Sequence, residues 1–302
     1  MASYLSDNKP ILIAGPTASG KSSFAIEVAE KTGGVIINAD AQQVYSGWNI
    51  LTARPPAQDL LRCRHYMYGH VAMDQPYSVG IWLREIEQQL IHCAKHGERP
   101  IIVGGTGLYF TALTQGLADI PEVPASVRRQ ADQMAREFGP DIFAKRLKDS
   151  DPDTYIKIDI QNPMRTQRAW EVFTATGIGL SKWQNNQKAP LIPETGAHMI
   201  SLISDTDWLN ARINKRFDFM IDQGALDECR IAMDYWWDET LPSCKAIGAK
   251  ELILHLKGDL NLTDAIEAAK LQSRRYAKRQ RTWFRSSMKN WDNLHIFDTK
   301  MP

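Results

Sequence analysis

The chain has 302 residues, 43% hydrophobic and 24% charged, with a formal net charge of +1 and four cysteines. This composition buries a large core and excludes a disordered or fibrous chain, and the near-neutral balance means that a nucleic-acid partner must be met by a local cluster of cations. No run approaches the roughly 18 apolar residues of a membrane span, Met1 to Pro10 lacks a signal-peptide core, and Cys63, Cys93, Cys229 and Cys244 show no C-x-x-C spacing, so a reducing, cytoplasmic setting is expected.

The first hundred residues alternate between two periods. Apolar runs predict strands over 10 to 14, 34 to 39 and 100 to 103, and helical patterns fall at 22 to 32 and 79 to 96, with a polar stretch before the second helix. From about 116 to 195 the chain is rich in charge and helix formers and is punctuated by Pro121, Pro124, Pro140, Pro152 and Pro163, which predicts a mostly helical insertion domain. Strand character returns at His198 to Ile203, followed by helices near 207 to 222, 224 to 235, 246 to 256 and 264 to 287, a closing helical layer. The expected architecture is a doubly wound α/β core over 1–115 plus 196–302, interrupted by a helical domain over 116–195.

Between the first strand and the first helix stands Gly15-Pro16-Thr17-Ala18-Ser19-Gly20-Lys21-Ser22, a complete G-x-x-x-x-G-K-[ST] loop. Its glycines let backbone N–H groups turn in around phosphate oxygens, Lys21 adds a point charge, and the Ser22 hydroxyl can ligate Mg²⁺ at a helix N-terminus. The core is therefore expected to be a P-loop NTPase-like parallel sheet flanked by helices. A nucleoside triphosphatase also needs an apolar strand ending in an acidic metal ligand, and Ile101-Ile102-Val103 ends instead in Gly104-Gly105-Thr106-Gly107. The apolar run that does end in a carboxylate is Val35 to Asp40, which falls beside the loop if the two strands are neighbours in a parallel sheet. A carboxylate facing a bound diphosphate suggests proton removal from an attacking group.

Three further features bear on chemistry. Arg212 and Arg216, spaced i, i+4, can converge on one anion. Arg274, Lys278, Arg281 and Arg285, at spacings of three or four with Tyr276 and Trp283 interleaved, predict a basic helix face suited to a phosphate backbone and an unstacked base, or else a solvated surface. His92 and His96, also i, i+4, have no further ligand nearby and are expected at a surface.

In order along the chain, Gly15 to Ser22, Asn38-Ala39-Asp40 with Gln43-Val44-Tyr45, Thr52-Ala53-Arg54-Pro55, Val103 to Tyr109, Arg165 with Arg168-Ala169, Arg212 with Arg216, Ala246-Ile247-Gly248, and Tyr276 to Gln280 with Thr282 to Arg285 resemble the tRNA dimethylallyltransferase family over nearly the whole length. The resemblance implies transfer of a dimethylallyl group from dimethylallyl diphosphate to N6 of the adenine 3′-adjacent to the anticodon in tRNA, with Mg²⁺ as cofactor and Ser22 as its ligand. It implies Asp40 as base, Thr17 and Arg212 as further catalytic groups, and Gly15 to Ser22 with Arg216 around the diphosphate. The tRNA contacts implied or inferred are Asp40, Ala41, Gln42, Gln43, Thr106, Arg128, Met164, Arg165, Thr166, Gln167, Arg168, Arg274, Lys278 and Arg281, in a monomeric enzyme. The chain departs from the family pattern at Ala41, Leu51 and Ala249. The alternatives are an isopentenyltransferase acting on free adenine nucleotides, which needs neither the insertion nor the basic helix, and a P-loop small-molecule kinase.

Overall fold

A computed structural model describes residues 3–296. They fall into two compact units, one running to Thr114 and resuming at Leu191, the other spanning Gln115–Pro190.

The larger unit opens with β1 (Ile11–Ala14), the glycine-rich loop, α1 (Lys21–Thr32) and β2 (Val35–Asn38). The stretch read as merely polar then forms α2 (Ala57–Arg62) and a two-residue strand, β3 (His65–Tyr66). After α3 (Val79–His96) come β4 (Pro100–Gly104) and α4 (Gly107–Gln115). The sheet has six strands, all paired in parallel, in the order β3-β2-β4-β1-β5-β6, where β5 is His198–Ile203 and β6 is Asp292–His295. Every residue of β1, β2 and β4 is buried, as expected of parallel strands covered on both faces. Alternation divides them cleanly: Leu12, Ile37 and Ile102 pack with Trp82 and Ile86 of α3 and Phe110 of α4, whereas Ile13, Ile36 and Ile101 pack with Ala25, Ile26 and Ala29 of α1.

Two sequence expectations change here. The loop-bearing strand and the strand leading to Asp40 are not neighbours, because β4 lies between β1 and β2. The chain also does not finish in helices alone, since β6 pairs with β5 after the last of them.

Within the smaller unit, α5 (Ala125–Phe138), α6 (Ile142–Ser150), α7 (Pro152–Lys157), α8 (Pro163–Thr176) and α9 (Leu180–Gln184) enclose their own core of Phe143, Leu147, Ala169, Trp170 and Val172. Asn162 and Asp151 cap α8 and α7, each with proline in the first turn, where its missing N–H costs nothing. In the larger unit, α10 (Thr206–Asp222), α11 (Ala225–Tyr235), α12 (Ala249–Leu256) and α13 (Leu262–Ser287) bury Phe217, Cys229, Leu252 and Ala269 against Val44, Tyr45 and Trp48. Leu51 and Ala249, two of the departures from the family pattern, belong to that core.

Candidate active site

The phosphate loop is locked by its own backbone and by the two helices above it. Gly20 (φ 86°) and Ala18 (φ 61°) take left-handed conformations, the second unusual for a residue with a Cβ. Ser19 N–H donates to the Pro16 carbonyl at 3.2 Å, and Ala18 packs with Leu209 and Ile213 of α10 and Ala277 of α13. Arg212 Nε donates to the Ala18 carbonyl at 3.0 Å and its guanidinium lies 4.7 Å from the Trp208 ring centroid. Arg216 Nη1 donates to Thr17 Oγ1 at 3.4 Å. The i, i+4 pair thus converges on the loop, as its spacing suggested.

These cations shape the local field. Burial is the main force pulling the Lys21 ammonium from its ordinary 10.5 down to about 8, with Arg216 adding repulsion and Asp40 opposing both. Burial also lowers Arg216, again against the pull of Asp40 and with a push from Arg212. The result is a cradle of cations with one nearby carboxylate, suited to a polyanion.

Asp40 stands two residues beyond β2, and its loop is held by three side chains. Asn38 Oδ1 accepts the Asp40 N–H at 2.8 Å, Asp40 Oδ1 accepts the Gln42 N–H at 3.0 Å, and Thr106 Oγ1 accepts the Ala41 N–H at 2.9 Å. The departure at Ala41 therefore leaves its backbone anchored. Although β4 separates Asp40 from the loop, the carboxylate still acts on Lys21 and Arg216, because β4 ends in glycines. A Cβ on Gly104 would lie 2.0 Å from the Ala39 carbonyl oxygen, and one on Gly105 would lie 3.4 Å from Asp40 Oδ2. Only glycine lets the flanking segments close over the strand end. Tyr68, Tyr109 and Tyr276 also lie within reach of the Asp40 charge, and their hydroxyls are pushed up chiefly by burial and then by that charge.

The other expected contact residues divide into those turned outward and those already engaged. Gln43 Nε2 donates to the carbonyls of Thr52 and Ala53, both at 2.8 Å, and Gln42 Nε2 donates to Pro242 at 3.3 Å. In the helical unit Arg128, Met164 and Arg165 are exposed, whereas Thr166 is buried and donates to backbone carbonyls of its own helix. Gln167 bonds Asp132 and Glu171, and Arg168 pairs with Glu171 at 3.7 Å.

The basic face of α13 needs correction. Arg274 bonds Asn214 at 2.5 Å and Arg281 bonds Thr206, both on α10, because they share the side of α13 that carries buried Ala277 and Phe284. The cations on the exposed side are Arg275, Lys278, Arg279 and Arg285. His92 and His96 stack on each other at 4.1 Å between centroids, and no group of three or more His, Cys, Asp or Glu among the described residues is arranged to hold a metal.

Sequence reasoning assigned no role to Gln280, which is 5% exposed and bonds the phosphate loop, accepting the Thr17 N–H at 2.9 Å. The two residues are 263 positions apart, so no local pattern announces the pair. What the sequence offers is a glutamine within the cationic stretch Arg274 to Arg285, inside one of the motifs that carry the family resemblance.

Comparison with known proteins agrees with this geometry. Residues 43–287 match the family model described as IPP transferase, and residues 9–76 match that of isopentenyl transferase. A protein of Dinoroseobacter shibae named tRNA dimethylallyltransferase is 54% identical over 292 residues, 96% of this chain and 95% of its own. Its namesake from Paracoccus denitrificans is 50% identical over 284 residues, 94% of this chain and 93% of its own. Among solved structures, the full-length tRNA isopentenylpyrophosphate transferase of Bacillus halodurans superposes with TM-score 0.69 at 31% identity, covering 97% of this chain and 92% of that one. A eukaryotic dimethylallyltransferase acting on tRNA gives TM-score 0.83 at 29% identity, with 97% and 75% covered. With this sheet, this loop and relatives matched end to end at half identity, the chain belongs to the tRNA dimethylallyltransferase family.

Proposed function

We propose that this chain transfers the dimethylallyl group of dimethylallyl diphosphate to N6 of the adenine 3′-adjacent to the anticodon of a tRNA, releasing diphosphate. The observation that carries the reading is the meeting of Lys21, Arg212 and Arg216 on one loop, with the Asp40 carboxylate acting on Lys21 and Arg216. As N6 forms its bond to the allylic carbon, the bond from that carbon to the diphosphate oxygen breaks. The negative charge passes to the leaving group, where the loop N–H groups and the three cations stabilise it. The amine nitrogen becomes acidic as it gains positive charge, so an ordinary carboxylate suffices as base and Asp40 takes the proton. Thr17, whose hydroxyl accepts a bond from Arg216 at 3.4 Å, is assigned the further contact to the reacting groups.

A Mg²⁺ ion fits this site through the exposed hydroxyl of Ser22 at the start of α1. No group of three or more His, Cys, Asp or Glu among the described residues is arranged to hold it, and Mg²⁺ commonly takes most of its ligands from water and substrate phosphates. Bound there, it supplies further neutralisation of the diphosphate charge.

The adenine must leave its stack to reach Asp40, at a cost of about a few kcal/mol that backbone contacts offset. Arg275, Lys278, Arg279 and Arg285 on α13, and Arg128 and Arg165 in the helical unit, are the exposed cations suited to those contacts. Replacing Arg275, Lys278 and Arg279 together by alanine is expected to weaken tRNA binding at least tenfold and to flatten its log-log salt dependence by about 2, given a slope of roughly 0.7 per phosphate contact. Filter binding across a salt series measures both. The paired change Arg274→Ala with Arg281→Ala is expected to lower thermal stability and to leave the salt slope nearly unchanged.

Purified protein with Mg²⁺ and labelled dimethylallyl diphosphate is expected to label a tRNA carrying adenine beside its anticodon. Labelling of AMP but not tRNA, or phosphate transfer from ATP, would sink the proposal in favour of the nucleotide enzyme or the kinase.

A further inference from the structure

We propose that Gln280 is a positioning residue that sets the spacing between the phosphate loop and Asp40. This inference rests on the reading of Asp40 as the base.

Because β4 lies between β1 and β2, no strand pairing joins the loop directly to the Asp40 segment. The span above the end of β4 is bridged instead from α13. Gln280 Oε1 accepts the Thr17 N–H and its Nε2 donates to the Gly105 carbonyl, both at 2.9 Å. A Cβ on Gly105 would stand 2.2 Å from Gln280 Nε2 and 3.4 Å from Asp40 Oδ2, so the amide and the carboxylate approach the same glycine. One turn earlier on α13 stands Tyr276, within reach of the Asp40 charge, and beyond Gly105 the Thr106 hydroxyl holds the Ala41 N–H. One side chain of α13 therefore ties the loop to Gly105, and the next residue, Thr106, ties that segment to the residue after Asp40.

Both ends of the amide are used, and a buried amide whose two partners are backbone groups fixes its neighbours in direction as well as distance. Thr17 is the residue most directly affected: with its N–H committed to Gln280, its hydroxyl is left to meet Arg216. A shift of about 1 Å between a base and the group it serves can cost on the order of a hundredfold in rate.

The test uses the full chain, with Gln280→Leu, Gln280→Glu and Asp40→Asn compared by single-turnover kinetics, tRNA binding and thermal melting. For Gln280→Leu the expected result is a fall in kcat of about a hundredfold per folded molecule, with tRNA affinity within threefold of the parent. Gln280→Glu keeps the acceptor for Thr17 and sets a carboxylate beside Asp40. The groups already facing Asp40 are Lys21 of α1, Arg216 of α10, Tyr68 after β3, Tyr109 of α4 and Tyr276 of α13. Against that fixed set the added charge is expected to move the acid limb of kcat/KM upward by about one pH unit. A kcat for Gln280→Leu within threefold of the parent overturns the proposal, and so does an unmoved acid limb in Gln280→Glu, which decides the matter if the leucine variant fails to fold. Full activity in Asp40→Asn would overturn the base assignment itself, an outcome read on a different variant.

Discussion

Asp40→Asn is expected to lower turnover by about three orders of magnitude, within the range of 10² to 10⁴ ascribed to a positioned general base, while affinity for dimethylallyl diphosphate holds or rises. The substitution is close to isosteric, and the asparagine carbonyl can keep the bond from the Gln42 N–H, so the loop after β2 retains its shape. What disappears is the negative charge of Asp40, which acts on Lys21 and Arg216. Losing it leaves the cradle more positive, which favours a diphosphate and does nothing for an amine that must shed a proton. The separation of the two effects is the diagnostic: calorimetric titration should give an unchanged or tighter Kd for the diphosphate substrate, and rapid-quench assays the collapse in rate. A variant that turns over at the parent rate would remove Asp40 from the chemistry.

Lys21→Met is expected to have an effect of similar size by the opposite route. Removing one preorganised donor to a developing anion costs about 10² to 10³ in rate, and here the lost group is also a full charge on the leaving diphosphate. The state of Lys21 gives a second observable. Its ammonium titrates at about 8 in the folded chain against an ordinary 10.5. Between those values the unfolded chain holds a proton that the folded one has released, so this group makes stability rise with pH across that window. Below it, the buried charge is a constant cost. A bound diphosphate reverses the balance by favouring the charged form, so binding near pH 8.5 should take up a proton. Calorimetry in two buffers of different ionisation enthalpy measures the uptake in the parent, and Lys21→Met should show less of it. Equal uptake in both proteins would mean that another group carries the shift.

How much of this was legible beforehand depends on element length. The runs Ile11 to Ala14, Val35 to Asn38 and Pro100 to Gly104 announce themselves as strands because burial on both faces demands unbroken apolar residues. His65–Tyr66 and Asp292–His295 carry no such mark, being short, partly or largely exposed, and strands only by virtue of the neighbour they pair with. Strand order was equally hidden: nothing in Ile101-Ile102-Val103 says that it inserts between the two strands that precede it. The site followed the same division. The glycine-rich loop and the Arg212–Arg216 spacing are local patterns and could be read directly. The outward face of α13 could not, because cations at 274, 275, 278, 279, 281 and 285 fit two different stripes, and the choice is made by Ala277, Gln280 and Phe284 finding their places in the core.

That helix has a consequence for how such an enzyme can diverge. Its inner side is committed through Gln280 and Ala277 to the phosphate loop, whereas Arg275, Lys278, Arg279 and Arg285 are exposed. If the proposed RNA contacts of the outer four hold, variation confined to them would alter which RNAs are held, and how strongly at a given ionic strength, without disturbing the phosphate loop. Substrate choice and turnover would in that sense be separately heritable, although one stretch of 26 residues would encode both.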